Sequence, residues 1–210
     1  MNTRRAASVF FVATVTALGL TGCLTAVKEV TSKALEDRTH ADHVKDTDIE
    51  SGVVSRITQA YRGKALDLDV TVWEGRVLLT GTTDDPTVMD RIGELAAQGP
   101  NIRELYNEIQ MVSTDEFTRR LELRKSLKER QERGGLQEQV DDWWISQKIT
   151  GKLLSNPGVK SVNYRWESVR GTVYVIGRAR SQEEVARVLE TIRNTNGVQE
   201  VKSFIEVKPV

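Results

Sequence analysis

Four groups of side chains in this 210-residue chain have the types and spacing that chemistry needs. His40 and His43 stand three apart beside Asp37 and Asp42, a spacing a divalent metal could use; the other reading is two solvated polar residues in a linker. Asp84-Asp85 are adjacent carboxylates of the kind general acid–base work uses, yet they stand directly before a helix, where capping is the ordinary duty. Trp143-Trp144 precede Lys148 and Lys152, an aromatic and cationic set suited to a membrane interface. Cys23 is the only cysteine, which excludes a disulfide or a thiolate metal cluster within the chain. No phosphate-binding loop, Gly-x-Ser-x-Gly elbow or metal-ligand run is found. Both histidines fall outside the regions that read as folded, so a histidine base would have to reach in from a linker. The expectation is a protein that is not an enzyme and carries no cofactor and no metal.

The residues ahead of Cys23 assign it a different chemistry. Arg4 and Arg5 form a positive start, and Ala6 to Leu20 is apolar apart from Ser8, Thr14, Thr16 and Gly19. That run is short of the ~20 apolar residues that span a bilayer, and it fits a cleaved signal peptide over residues 1–22. Leu20-Thr21-Gly22-Cys23 resembles a bacterial lipobox, whose cysteine is thioether-lipidated and then acylated. The resemblance implies lipidation at Cys23, and Leu24 rather than Asp after it implies the outer membrane, facing the periplasm. Two or three acyl chains anchor stably where one does not. Residues 23–45 then read as a tether.

Behind the tether one unit occurs twice. Trp73-Glu74-Gly75-Arg76-Val77-Leu78-Leu79-Thr80-Gly81 and Val169-Arg170-Gly171-Thr172-Val173-Tyr174-Val175-Ile176-Gly177 lie 96 positions apart, and the offset holds without a gap from Asp46/Asp142 to Val112/Lys208. Each copy begins with a helical stripe, Ile49-Val53-Ile57 or Ile145-Ile149-Leu153, behind a candidate cap at Asp46 or Asp48, or at Asp141 and Asp142. An alternating strand, a tight glycine turn and a second strand follow. A helix opened by Asp85-Pro86 or by a Ser181-Glu184 capping box leads to a last strand. The order αββαβ makes an α+β fold, a three-stranded sheet with two helices on one face, its third strand parallel to the second. Whether that strand lies beside the first or the second stays open.

These motifs, "VWEGRVLLTG", "ELYNEI" and "DDWWISQKI" above all, resemble BON domains. Two of them behind a lipobox resemble the dual-BON outer-membrane lipoproteins, giving domains at 46–113 and 141–210. The resemblance implies that the first helix of the second domain binds anionic phospholipid and that the protein supports envelope integrity. Trp144, Ile145 and Lys148 occupy the matching positions, and Trp143 is an addition of this chain.

Charge separates the copies. Asp46–Val112 has 6 basic and 12 acidic residues, and Asp142–Lys208 has 11 and 7, so the second domain is the one an anionic surface attracts. Trp143, Trp144, Ile145, Lys148 and Lys152 are therefore the candidate phospholipid site. Three readings stand for the tryptophans: the membrane, packing against neighbouring elements, or a protein partner. Trp166 matches Val70 at an inward strand position and reads as core; Trp73, beside a turn, is undecided. Residues 114–140 read as a charged helical linker, either a spacer laid on a domain or a partner-binding helix. The alternative function is a periplasmic scaffold that holds outer-membrane assembly proteins through the first domain or this linker.

Overall fold

In each copy the chain folds about a hairpin whose two turn residues have positive φ. Strand β1 (Asp67–Trp73) runs antiparallel to β2 (Arg76–Thr83), and β4 (Tyr164–Val169) to β5 (Thr172–Ala179). Glu74 and Gly75 have φ of 48° and 77°, and Arg170 and Gly171 have 53° and 76°. Left-handed backbone at both positions matches the twist of the flanking strands, and glycine adopts it without steric cost. The turn amides are held by one carboxylate per copy. Asp46 accepts from Glu74 N and Gly75 N at 2.7 and 2.8 Å, and Asp142 accepts from Arg170 N and Gly171 N at 2.8 and 3.0 Å.

The structure is a computed structural model that describes residues 35–132 and 141–209. The expected signal peptide 1–22, Cys23, most of the tether and residues 133–140 of the linker lie outside the described residues. The sequence suggested Asp46 or Asp48 as the cap of the first helix, and neither caps it. Helix α1 (His40–Ala60) starts earlier, at a capping box in which Thr39 Oγ1 accepts from Asp42 N at 3.1 Å and Asp42 accepts from Thr39 N at 3.2 Å. Asp46 is thus inside the helix, one turn above the core stripe, and its side chain is aimed at the hairpin.

Helix α2 (Pro86–Ala97) is capped as expected by Asp85, which accepts from Thr87 N at 2.8 Å. Strand β3 (Glu104–Met111) then pairs parallel to β2, giving sheet order β1-β2-β3. Copy 2 repeats this with α4 (Asp141–Ser155), α5 (Gln182–Arg193) and β6 (Glu200–Val207), in order β4-β5-β6. The third strand therefore lies beside the second. Ile49, Val53, Ile57, Val77, Leu79 and Ile92 close the first core under the helices, and Ile145, Ile149, Leu153, Val173, Val175 and Ile192 close the second. Trp166 packs on that second core, as its position suggested. Only half of the expected capping box forms at α5. Ser181 accepts from Glu184 N at 3.2 Å, but the Glu184 carboxylate turns away to accept from Arg180 N and Lys160 N at 2.8 and 2.9 Å.

A third core lies between the two sheets, on the faces turned away from the helices. Trp73, Leu78, Val169, Tyr174 and Ile176 are buried there, with Tyr106 and Phe204 packed against them at a ring separation of 4.3 Å. Arg76, 0% exposed, donates to Phe204 O at 2.5 Å and to Gly177 O at 2.8 Å, so a guanidinium of copy 1 satisfies carbonyls of copy 2. Residues 36–210 accordingly form one compact unit.

Two further segments join that unit. Helix α3 (Thr114–Glu132) sets Arg120 Nε 2.7 Å from the buried Asp67 and Arg120 Nη1 3.3 Å from Asp142, while Arg124 pairs with Asp67 and Asp69. Residues 36–45, read from sequence as tether, are built into the fold instead. Glu36 is buried against Arg38, His43 and Arg165, and the Arg38 guanidinium lies 3.8 Å from the centre of the Trp73 ring. No helix among the described residues is long and apolar enough to cross a membrane.

Candidate functional site

Helix α4 begins beside the Arg170-Gly171 turn because Asp142 binds both turn amides. Opposite stands α3, pinned by Arg120 to Asp67 and Asp142. The space between them is a groove of about 1080 Å³, lined by Arg119 and Arg120 of α3, Trp144 and Lys148 of α4, and Arg170 and Asn196 of the adjoining turns.

The groove is polar and cationic. Of its two acids, Glu116 pairs with Arg119 at 2.7 Å. Burial alone would raise the Asp142 carboxyl, but the Gly171 and Arg170 amides, the Ser168 hydroxyl and Arg120 outweigh it and hold Asp142 below the usual carboxylate range. Burial works against the charge on Arg120 too, and Asp67 and Asp142 reverse that, leaving its pKa above the ordinary arginine value. The chemistry on offer is recognition of an anion beside an aromatic ring.

The five residues singled out from the sequence are divided by the structure. Trp144, Ile145 and Lys148 line the groove, whereas Trp143 and Lys152 are not among its lining residues. Trp143 and Trp144 meet edge to face with ring centres 4.9 Å apart, both half-buried. Ile145 is 2% exposed, a member of the core that forms the floor of the groove. The lysines also serve the fold: Lys148 Nζ donates to Asn196 O at 3.3 Å and Lys152 Nζ to Asn194 O at 2.6 Å, meeting carbonyls at the C-terminal end of α5. An ammonium has three donors, so either lysine can hold its carbonyl and still reach an anion.

Sequence reasoning missed the opposite wall. Arg119 and Arg120 sit in a segment neutral by count; the signal that could have found Arg120 is its i, i+4 pairing with Arg124 toward the buried acid at the start of β1, and Arg119, paired with Glu116 on its own helix, gave none. The His40/His43 pair holds no metal cluster: among the described residues no group of three or more His, Cys, Asp or Glu could bind one. His43 Nε2 lies 3.2 Å from Glu36 instead.

The family model for the BON domain matches residues 45–113 and 141–209. The chain belongs to the BON-domain family and carries the domain in tandem. Such domains are associated with phospholipid binding and with envelope proteins, and the family is generally non-enzymatic. Among curated relatives, an uncharacterized protein in the gshII 5′ region of Anaplasma centrale is 36% identical over 141 residues, covering 67% of this chain and 82% of that protein. A 21 kDa hemolysin of Actinobacillus pleuropneumoniae is 25% identical over 175 residues, covering 83% of this chain and 80% of that one. A solved structure of CdsD, a structural protein of the type III secretion system of Chlamydia trachomatis, aligns at 9% identity and a TM-score of 0.31, covering 78% and 93%.

Proposed function

We propose that this protein is a lipid-anchored, non-enzymatic component of the bacterial outer membrane, facing the periplasm, that binds anionic phospholipid through its second BON domain and supports envelope integrity. One observation carries the reading: Trp144 and Lys148 stand side by side on the lip of a cationic groove, in the domain with the net positive charge. Trp144 and Trp143 supply rings that rest at headgroup level, while Lys148, Lys152 and the exposed Arg170 supply the charge. Lipidation at Cys23 keeps the domain near its own leaflet, so a weak contact is sufficient. The scaffold alternative through α3 is disfavoured by geometry, since Arg120 and Arg124 are already engaged with Asp67, Asp69 and Asp142.

The test is co-sedimentation of residues 36–210, the compact unit, with phosphatidylglycerol-containing and purely zwitterionic vesicles. Starting at residue 46 would cut through α1. Binding selective for the anionic vesicles, weakened by salt and lost in Trp144→Glu, is the expected result. Equal binding to both vesicles, or binding that Trp144→Glu leaves intact, sinks the assignment to α4.

A further inference from the structure

At the other end of the second domain, away from the Arg170-Gly171 turn, a carboxylate of the chain itself sits in an anion site. Asp37 accepts from Lys160 Nζ at 2.6 Å, from Asn163 Nδ2 at 2.7 Å, and from Arg180 Nε and Nη2 at 2.9 and 3.0 Å. Its own amide donates back to Asn163 Oδ1 at 2.9 Å. Asn163 is 0% exposed and meets the carboxylate through its side-chain amide, so the site has a buried floor beneath two partly exposed cations. The Arg180 fork meets both carboxylate oxygens, the geometry that also suits two oxygens of a phosphate. Lys160 and Arg180 are further tied together by Glu184, which accepts from both of their backbone amides. The eight residues of β5 put about 25 Å between this site and the groove beside Trp144.

We infer that Lys160, Asn163 and Arg180 form a second oxyanion site on this domain, one that takes a phosphate group and is filled in cis by Asp37 until the 36–39 segment lifts. The repeat supports this. The residues 96 positions earlier are Lys64, Asp67 and Asp84, so the same corner of copy 1 is acidic. There Asp67 receives Arg120 and Arg124 from α3. Each copy therefore presents a polar corner to a flanking segment of opposite charge, and the charge of copy 2 selects an anion. The 36–39 segment leads back toward Cys23, so where that residue is lipidated, headgroup phosphates are the oxyanions at highest local concentration. The identity of the competitor rests on the phospholipid reading above; the site itself does not.

The experiment compares residues 36–210 as wild type, Asp37→Asn, Arg180→Glu and the double variant on phosphatidylglycerol vesicles, with a parallel titration of inorganic phosphate followed through the amide resonances of Lys160, Asn163 and Arg180. Asp37→Asn is expected to tighten vesicle binding about five-fold, the worth of one charge at an anionic surface, and to make the three amides respond to phosphate. Arg180→Glu added to Asp37→Asn should remove both effects. A response to phosphate without tighter vesicle binding assigns the site to the free anion. No change in either arm on Asp37→Asn overturns the site, as does a gain that persists with Arg180→Glu. Trp144→Glu runs beside them: its effect reports the groove on α4, and Asp37→Asn should act equally in that background. Urea midpoints of all variants show that each is folded, and Asn163→Asp, which copies the charge at Asp67, serves as a second way to close the site.

Discussion

In copy 1 the space beside the hairpin turn is about 380 Å³ and is lined by Asp42, Lys45, Asp46, Glu74 and Arg103; in copy 2 the matching space is about 1080 Å³ and is lined by Asp142, Trp144, Lys148 and Arg170. The carboxylate, the glycine turn and the isoleucine floor are common to both, at Asp46, Gly75 and Ile49 and again at Asp142, Gly171 and Ile145. What differs is the outward layer. Asp48 and Gly52 of copy 1 become Trp144 and Lys148, and α3 stands as a wall on the second copy. The fold thus accounts for the groove, and a few substitutions on a conserved frame of contacts account for its chemistry. The polar corners invert in the same manner, Asp67 receiving arginines and Asn163 receiving an aspartate.

The largest test of this comparison is at the inter-sheet core, where the copies are least alike. Arg76 occupies the position of Thr172 and satisfies two carbonyls of the other domain from a fully buried site. Arg76→Ala is expected to cost about 3–5 kcal/mol in urea unfolding, because it leaves the Phe204 and Gly177 carbonyls without their buried donor and takes from Glu206 one of its three cations, Arg103 and Lys208 remaining. Thr172→Ala should cost less than about 1 kcal/mol. Equal losses at the two positions would show that the sheet contact is not the asymmetric one described.

Next in size is the acidic corner. Asp67→Asn removes the charge that holds Arg120, Arg124 and the Thr82 hydroxyl, and should destabilise by about 2–3 kcal/mol at pH 7. Burial would raise the Asp67 carboxyl, but Thr82 and Arg120 hold it below the ordinary value. Its contribution is therefore complete above the unfolded-state pKa near 3.8 and is lost as pH falls through the lower folded value. The difference between Asp67→Asn and wild type should accordingly shrink in acid. A loss that stays constant down to pH 2 would mean that shape, not charge, matters at this corner.

Most of each domain was legible in the sequence because its determinants are local and repeated. The Glu74-Gly75 and Arg170-Gly171 turns, the Asp85-Pro86 cap and the 3.6-residue stripes each act within a few residues, and their recurrence at one offset checks them. The contact between the domains was not legible. Trp73, Leu78, Tyr174 and Phe204 alternate with core residues along the same strands, so a buried second face resembles an ordinary mixed strand. Asp46 was misread for a related reason: a carboxylate near a helix start suggests a cap, and only the fold reveals that its partners are amides 28 and 29 residues away. At the candidate site Trp144 and Lys148 stood out because copy 1 lacks them, whereas Arg119 and Arg120 had no counterpart to be compared with.

The two turn clamps give a finer test. Asp46 is buried and also pairs with Arg38 at 2.7 Å, while Asp142 is more open and shares Arg120 at 3.3 Å. Asp46→Ala should cost about 2 kcal/mol and Asp142→Ala about 1 kcal/mol in urea unfolding. Hydrogen exchange should quicken at Gly75 in the first variant and at Gly171 in the second. Reversal of the order would place the stronger clamp in copy 2 and make the groove floor there the more rigid of the two.

A last expected effect has the opposite sign. Glu167 on β4 has its pKa raised to about 7, first by burial and then by Asp69, with Arg124 acting against the rise. Its counterpart in copy 1 is Thr71, which does not titrate. An unfolded glutamate loses its proton near 4.5, so between about pH 4.5 and 7 the unfolded chain ionises while the folded one keeps its proton. Glu167 thus lowers stability as pH rises through that window, and the loss levels off above it. Glu167→Gln should be neutral at pH 4 and stabilising by about 1–2 kcal/mol at pH 8, read from urea midpoints at the two pH values. Asp67, Asp142 and Asp37 act the other way, since their depressed values add stability as pH rises out of acid. Their window closes near pH 4, where that of Glu167 opens, so the two effects separate along a single pH series. A Glu167→Gln profile parallel to wild type from pH 4 to 8 would show that Arg124 already balances the charge, and the contact between α3, β1 and β4 would then tolerate both protonation states.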